Sequence, residues 1–239
     1  MSKFRLDAYL ANNKFVPTRS QAESTIRLGA VTVNGRVVKK PGTFVPDGAV
    51  VRLHENERYV SRAGLKLASV AALLGVEFGD TTVLDVGSST GGFTDYALQH
   101  GAKRVFAVDV GTEQLHPSLR RDKRVELYEK TDIRDFHMNQ KPNVVVMDVS
   151  FISLREILPH IARDLSDKQT KIVAMLKPQF EAGRDQTNKG VIKNDSVRRQ
   201  ILRDFEMWAK QYFVIIDKRD SEVAGAKGNR ERFYLLKTK

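Results

Sequence analysis

Cysteine is absent from the 239 residues, and tryptophan occurs once. Without cysteine there are no disulfides, thiolate metal sites or thiol nucleophiles, which accords with a reducing compartment and an expected cytoplasmic location. No apolar run approaches the ~20 residues needed to span a bilayer. The opening MSKFRLDAYLANNKF has no continuous apolar core, so it does not read as a secretory signal. The five histidines are scattered, without a metal-ligand spacing such as HExxH, and no metal is expected. Acidic residues are also short: Lys+Arg number 40 against Asp+Glu 29, a net charge of +11. An excess of that size points to a polyanionic partner, most simply nucleic acid. Apolar residues make up 41%, enough to fill a core.

The first quarter reads as a small α+β unit. Leu6, Tyr9 and Leu10 at helical spacing predict a helix over Phe4–Phe15. A second helix is expected over Thr18–Leu28, with Thr18 or Ser20 as its cap and Gly29 as its stop. VTVNGRVV, residues 31–38, carries Asn-Gly between β-branched runs, the strongest short hairpin signal. Val50–His54 reads as a further strand. Residues 1–58 hold ten Lys+Arg against five Asp+Glu, a charge of +5. Arg5, Lys14, Arg19 and Arg27, on or beside the two helices, are candidate RNA contacts, with a merely solvated face as the alternative. This unit is placed at residues 1–56, a polar linker at 57–60 and a second domain at 61–239.

From Ser61 the pattern becomes α/β. A helix over Ser61–Leu74 is followed by alternating apolar strands and helices: Val83–Val86, a helix near Gly92–Gln99, Arg104–Asp109, a turn near Gln114–Leu119, Val125–Tyr128, Val144–Asp148, a helix Leu154–Leu165, Lys171–Leu176, a helix Ser196–Gln211, Phe213–Lys218 and Arg232–Leu236. That alternation argues a doubly wound, Rossmann-like sheet, and the last two strands, joined by a loop alone, an antiparallel hairpin at one edge.

The first strand runs into Asp85-Val86-Gly87-Ser88-Ser89-Thr90-Gly91-Gly92. In such sheets ligands bind beyond the carboxyl ends of the strands. The dinucleotide fingerprint GxGxxG is missing, and Asp85 two residues before the first glycine suits an ammonium better than a pyrophosphate. Asp109 ends the next strand, where a carboxylate can hold ribose hydroxyls. Asp132, in Thr131-Asp132-Ile133, follows the third strand and could meet an adenine amino group. This order favours S-adenosylmethionine over NAD; strand-end turn residues are the alternative for Asp109 and Asp132. Lys66, Asp148, Lys177 and Glu231 are further candidates. Asp148 and Lys177 close nearly all-apolar strands at the ligand-binding edge, where charges are rare unless used or paired.

Those four residues resemble the Lys-Asp-Lys-Glu set of FtsJ-like ribose 2′-O-methyltransferases. VSRAGLKL, LDVGSSTGGFTD, DVGTEQL, DVSFISL, LKPQFEAG and GNRERF resemble the TlyA (hemolysin A-like) family of rRNA methyltransferases. The N-terminal helix pair with TVNGRVV resembles the RNA-binding S4 domain carried by that family. The resemblance implies S-adenosylmethionine-dependent 2′-O-methylation of a cytidine ribose in ribosomal RNA, with the RNA or a ribosomal subunit as partner. For that chemistry Lys177 is assigned as base for the hydroxyl, with Lys66 as a second cation that either makes Lys177 a better base or holds the ribose oxygen, and Asp148 and Glu231 as groups that orient the two amines. Phe180 is a stacking candidate for the target base or, equally, a core aromatic, and Glu181–Asn194 reads as a mobile loop beside the site. Some members continue into another C-terminal helix and modify both subunits, so the choice of subunit stays open. Two other readings are a membrane-active hemolysin, which needs an amphipathic or spanning segment, and a non-catalytic RNA-binding assembly factor.

Overall fold

The computed structural model describes residues 4–16, 19–27, 29–53, 59–183, 190–192, 194–225 and 228–239. The chain falls into two compact units, Met1–Arg58 with Glu222–Arg230, and Tyr59–Ser221 with Glu231–Lys239. The segment 222–230, expected in the second domain, thus groups with the first unit.

In the first unit, β1 (Phe4–Arg5) leads into helices α1 (Leu6–Asn12) and α2 (Arg19–Arg27). Then come β2 (Val31–Val33), β3 (Arg36–Val37), β4 (Phe44–Val45) and β5 (Val51–Leu53). Leu6 and Leu10 on α1, and Ala22 and Ile26 on α2, each four apart, pack with Val31 and Val45 as the core. Strands β3, β2 and β5 form an antiparallel sheet, and Asn34 and Gly35 take φ of 51° and 78° in the hairpin turn. The first helix is shorter than expected. Phe4 and Arg5 pair with β4, and Lys14 turns left-handed at φ 58°. Thr18, an expected cap, and residues 54–58, which include the first two of the expected linker, lie outside the described residues.

The second unit contains α3 (Arg62–Ala68), β6 (Thr82–Val86), α4 (Gly92–Gln99), β7 (Arg104–Val108), α5 (Pro117–Arg120), β8 (Val125–Tyr128), β9 (Val144–Met147), α6 (Leu154–His160), β10 (Lys171–Leu176), α7 (Pro178–Glu181), α8 (Asp195–Ala209), β11 (Phe213–Asp220) and β12 (Arg232–Thr238). Seven strands form one sheet in the order β11-β12-β10-β9-β6-β7-β8. All neighbours are parallel except those of β12, which runs antiparallel to β10 and β11. The expected hairpin is present, but β12 sits inside the sheet and leaves β11 at the edge.

Side chains alternate between two apolar layers, as a sheet covered on both faces requires. Val83, Val105, Val146, Val173 and Phe233 pack with Leu67, Phe93 and Tyr96, while Leu84, Val108, Val145, Ile172 and Tyr234 pack with Leu158 and Phe205. Each such fully buried aliphatic or aromatic side chain contributes about 1.5–3 kcal/mol.

Two helices depart from expectation. α3 stops at Ser69, whose hydroxyl donates to the Lys66 carbonyl at 2.7 Å, and the chain goes on in turns to Gly75 at φ 63°. Pro159 lies inside α6, and the helix widens into a π-helical turn over Ile161–Leu165. Among the described residues no helix is long and apolar enough to cross a membrane.

Candidate active site

Topology concentrates charge at one edge of the large sheet. Strands β9 and β10 run parallel, with Met147 beside Ala174, and β12 runs the other way, with Arg232 beside Leu176. The residues just beyond these positions, Asp148, Lys177 and Glu231, therefore emerge together. Lys66 arrives from α3.

The four expected residues form two ion pairs. Lys177 Nζ lies 2.6 Å from Asp148 Oδ1 and donates to Ser150 Oγ at 2.7 Å. Lys66 Nζ lies 2.6 Å from Glu231 Oε2. Glu231 is almost fully buried, which pushes its carboxyl above the usual range; Lys66 and Lys177 oppose the shift and Asp148 adds to it. The two pairs thus act on one another. Arg62, not singled out from the sequence, interacts with Glu231 as well. Its signal was its spacing, four residues before Lys66 on one face of α3.

Beside these pairs opens a cleft of about 420 Å³ whose lining includes Gly87, Ser89, Asp109, Thr131, Asp132 and Asp148, with Gln114, Ser150, Phe151 and apolar residues among the rest. Gly87 has φ 77°, and a Cβ there would stand 3.0 Å from the Asp148 carbonyl oxygen, so the chain needs glycine. Asp109 accepts the Ser89 N–H at 2.8 Å and the Gly111 N–H at 2.7 Å, one on each carboxylate oxygen. Asp132 accepts from the guanidinium and backbone N–H of Arg134, which hold its carboxyl below the usual range.

Five of the expected cofactor residues do not line the cleft. Asp85 is 1% exposed; Thr94 Oγ1 donates to its Oδ2 at 2.6 Å and its Oδ1 has no hydrogen-bond partner. Burial pushes the Asp85 carboxyl up to about 7, Thr94 opposes this, and Asp148 and Asp109 add to it. Ser88 is buried, and Thr90 is exposed, its carbonyl accepting from His116 N at 3.2 Å. Gly91 and Gly92 serve packing. A Cβ at Gly91 would run into the Leu119 side chain, and one at Gly92 would run into Ser61 Oγ and come within 2.7 Å of Ala63 Cβ.

Phe151 is a second site feature, after Arg62, that sequence reasoning missed. It is 92% exposed at φ 66°, and its ring lies 5.2 Å from that of Phe180. Lys177 Nζ stands 6.0 Å from the Phe180 centroid. No periodicity distinguishes an aromatic held on a loop; only its place three residues after Asp148 could have drawn notice.

In the first unit, the arginines expected on RNA meet a buried carboxylate. Arg5 and Arg19 both donate to Asp7, at 2.8 and 2.9 Å for their shortest contacts. Burial would push the Asp7 carboxyl up, but these bonds and the Ala8 N–H hold it down at about 2. Lys14 is exposed, and the Arg27 side chain lies outside the description.

The family described as FtsJ-like methyltransferase matches residues 59–239, and the S4 domain matches residues 4–51. Hemolysin A of Brachyspira hyodysenteriae is 39% identical over 95% of this chain and 97% of its own length. The 16S/23S rRNA (cytidine-2'-O)-methyltransferase TlyA of Mycobacterium tuberculosis is 35% identical over 98% of this chain and 90% of its own. A solved Streptococcus thermophilus protein bearing the name hemolysin superposes with a TM-score of 0.75 at 39% identity, covering 100% of this chain and 89% of the other. A methyltransferase match over the whole large-sheet unit, meeting paired lysines and carboxylates at the strand edge, establishes that the chain belongs to the FtsJ-like methyltransferase family and carries an S4 domain before it.

Proposed function

We propose that the protein transfers the methyl group of S-adenosylmethionine to the 2′-hydroxyl of a cytidine ribose in ribosomal RNA. The observation that carries this reading is the pair of lysine–carboxylate contacts, Lys177–Asp148 and Lys66–Glu231, beside a cleft bordered by Asp109 and Gly87. The base and ribosomal substrate follow the TlyA relative, whose name states that activity.

The residues fit the cofactor. Each Asp109 oxygen accepts one backbone N–H and keeps a lone pair for a ribose hydroxyl. Asp85 does not line the cleft, but its buried Oδ1 has no hydrogen-bond partner among the described residues. Asp132 can accept from an adenine amino group, its charge being balanced by Arg134. The cleft volume lies within the usual range for small-molecule sites. When bound, S-adenosylmethionine supplies a methyl group already activated on a sulfonium.

The chain's own residues handle the hydroxyl. A ribose 2′-hydroxyl is a poor nucleophile near neutrality and needs a base within hydrogen-bond reach. Lys177 Nζ takes that proton once its own ammonium proton has been released to solvent, since only the neutral amine has a free lone pair. Ser150 accepts from the amine, and Asp148 pairs with it as its counter-ion, so the two fix its direction. Lys66, held by Glu231, stabilises negative charge developing on the sugar oxygen. The exposed Phe151 ring, beside Phe180, offers a flat face on which an unstacked base can rest. The S4 unit adds affinity for the RNA backbone. The test is incubation with methyl-labelled S-adenosylmethionine and separated ribosomal subunits, followed by mass-spectrometric mapping. Label on the 2′-oxygen of a cytidine is expected; label on a base, or none on either subunit, overturns the reading.

A further inference from the structure

Glu181 stands outside the two lysine–carboxylate pairs, yet it is buried and fully engaged. It was expected to open a loop; instead it ends the short helix α7, four residues after Lys177. Its side chain is 2% exposed. Oε1 accepts the Leu154 N–H at 2.7 Å, and Oε2 accepts from Ser153 Oγ at 2.6 Å and pairs with Arg155 Nε at 3.5 Å. Ser153 is the N-cap of α6, and its hydroxyl oxygen accepts the Arg155 N–H at 3.1 Å. The hydroxyl proton is thereby directed to Glu181. A carboxylate from one element completes the cap of another, roles that in a capping box belong to a single helix.

The two segments joined this way are those that carry the chemistry. Residues 148–153 hold Asp148, Ser150 and Phe151, and residues 177–181 hold Lys177 and Phe180. They touch at the Lys177–Asp148 and Lys177–Ser150 contacts and at the paired rings, all near the cleft. On the far side of those contacts, Glu181 is the anchor that hydrogen-bonds both ends of the second joint. Phe151 sits two residues before Ser153 at φ 66°, a conformation that a bulky residue keeps only when its neighbours fix it.

We propose that Glu181 is a positioning residue for methyl transfer. Its carboxylate locks residues 148–153 against 177–181, so that Asp148, Ser150 and Phe151 stay in register with Lys177 and Phe180. This inference rests on the methyltransferase reading. It places the effect of Glu181 on the alignment of amine and RNA rather than on the Asp109 side of the cleft, where the cofactor's ribose is placed.

The test uses the full chain with Glu181→Ala, Glu181→Gln and Ser153→Ala. Turnover and KM for RNA are measured with labelled S-adenosylmethionine, cofactor affinity by calorimetry, and amide hydrogen exchange over residues 149–155 by mass spectrometry. Misalignment by an ångström can slow a reaction by up to about a hundredfold, so E181A should lower kcat by about ten- to a hundredfold. Cofactor affinity should stay within about threefold, since the Gly87–Asp109 side of the cleft is untouched, although Asp148, Ser150 and Phe151 border its other side. E181Q, whose amide oxygen still accepts one of the two bonds, should recover part of the rate, and S153A should speed exchange over 149–155 even if E181A does not fold. Adding S153A to E181A should lower kcat little further, because the joint is already open, although it removes the cap on the Arg155 N–H and so costs some stability. A kcat within twofold of the unaltered chain for E181A and E181Q, an equal loss of cofactor affinity, or unchanged exchange in S153A overturns the proposal. If the unaltered chain methylates no RNA, the parent reading fails instead, and the exchange measurement still decides whether Glu181 locks the two segments.

Discussion

Replacing Asp85 with Asn should make the protein more stable at neutral and alkaline pH. Asp85 is 1% exposed, with one oxygen unpartnered and two other carboxylates acting on it. Its pKa rises from 3.8 to about 7, about 3 units, which corresponds to ~4 kcal/mol at ~1.4 kcal/mol per unit. The sign follows from proton counting. Between those two values the folded state holds a proton that the unfolded state has released, so stability falls as pH rises through that window. Above the folded value both states are ionised and the full penalty is present. Asn has the shape of the neutral acid and never bears the charge. Asp85→Asn should therefore gain up to ~4 kcal/mol near pH 8, and the gain should shrink to a few tenths of a kcal/mol near pH 4. Trp208, the one tryptophan, packs on Phe205 in the same unit, so its fluorescence reports this unfolding in urea. An Asp85→Asn chain no more stable than its parent near pH 8, or a gain independent of pH, would refute the reasoning.

Three other outcomes are expected. Lys177→Ala should abolish methyl transfer while leaving calorimetric cofactor affinity nearly intact, because Lys177 does not line the cleft; near-normal turnover would remove it as the base. In the first unit, the Asp7 carboxyl lowered to about 2 stabilises the fold above its unfolded value of ~4, and ~2 kcal/mol is lost as pH falls from there to about 2. Hydrogen exchange of α1 and α2 amides should show that loss in the parent and no such dependence in Asp7→Asn. Gly92→Val should destabilise the large-sheet unit by about 1–3 kcal/mol, read from the urea midpoint, since even its Cβ would collide with α3.

The large sheet could be read from the chain because its strands are short apolar runs closed by charges. Asp148 after VVVM and Lys177 after IVAML stood out for that reason. Glu231 was harder to place by physics alone. It reaches the same edge only because β12 inserts antiparallel between β10 and β11, and strand order is a tertiary property with no local signal. The glycines divided in a way that composition does not reveal. Gly87 serves the cleft, whereas Gly91 and Gly92 make room for Leu119 and Ser61. Arg5 and Arg19 looked like free cations until the fold brought a buried Asp7 beneath them. Glu181 read as loop because four helical residues, the first of them a proline, carry too little periodicity to register. The π-helical turn after Pro159 was hidden likewise, since a proline marks a disturbance without saying which form it takes.

Phe151 shows what such a loop asks of the free protein. Its backbone lies where a glycine would rest without strain, which for a bulky side chain costs about 1–3 kcal/mol. Nearly all of its ring faces water, so burial returns almost nothing. A chain shaped for endurance alone would carry glycine there. The resting molecule is thus held cocked, and a flat aromatic surface laid over residue 151 would bring the dewetting that the fold itself withholds.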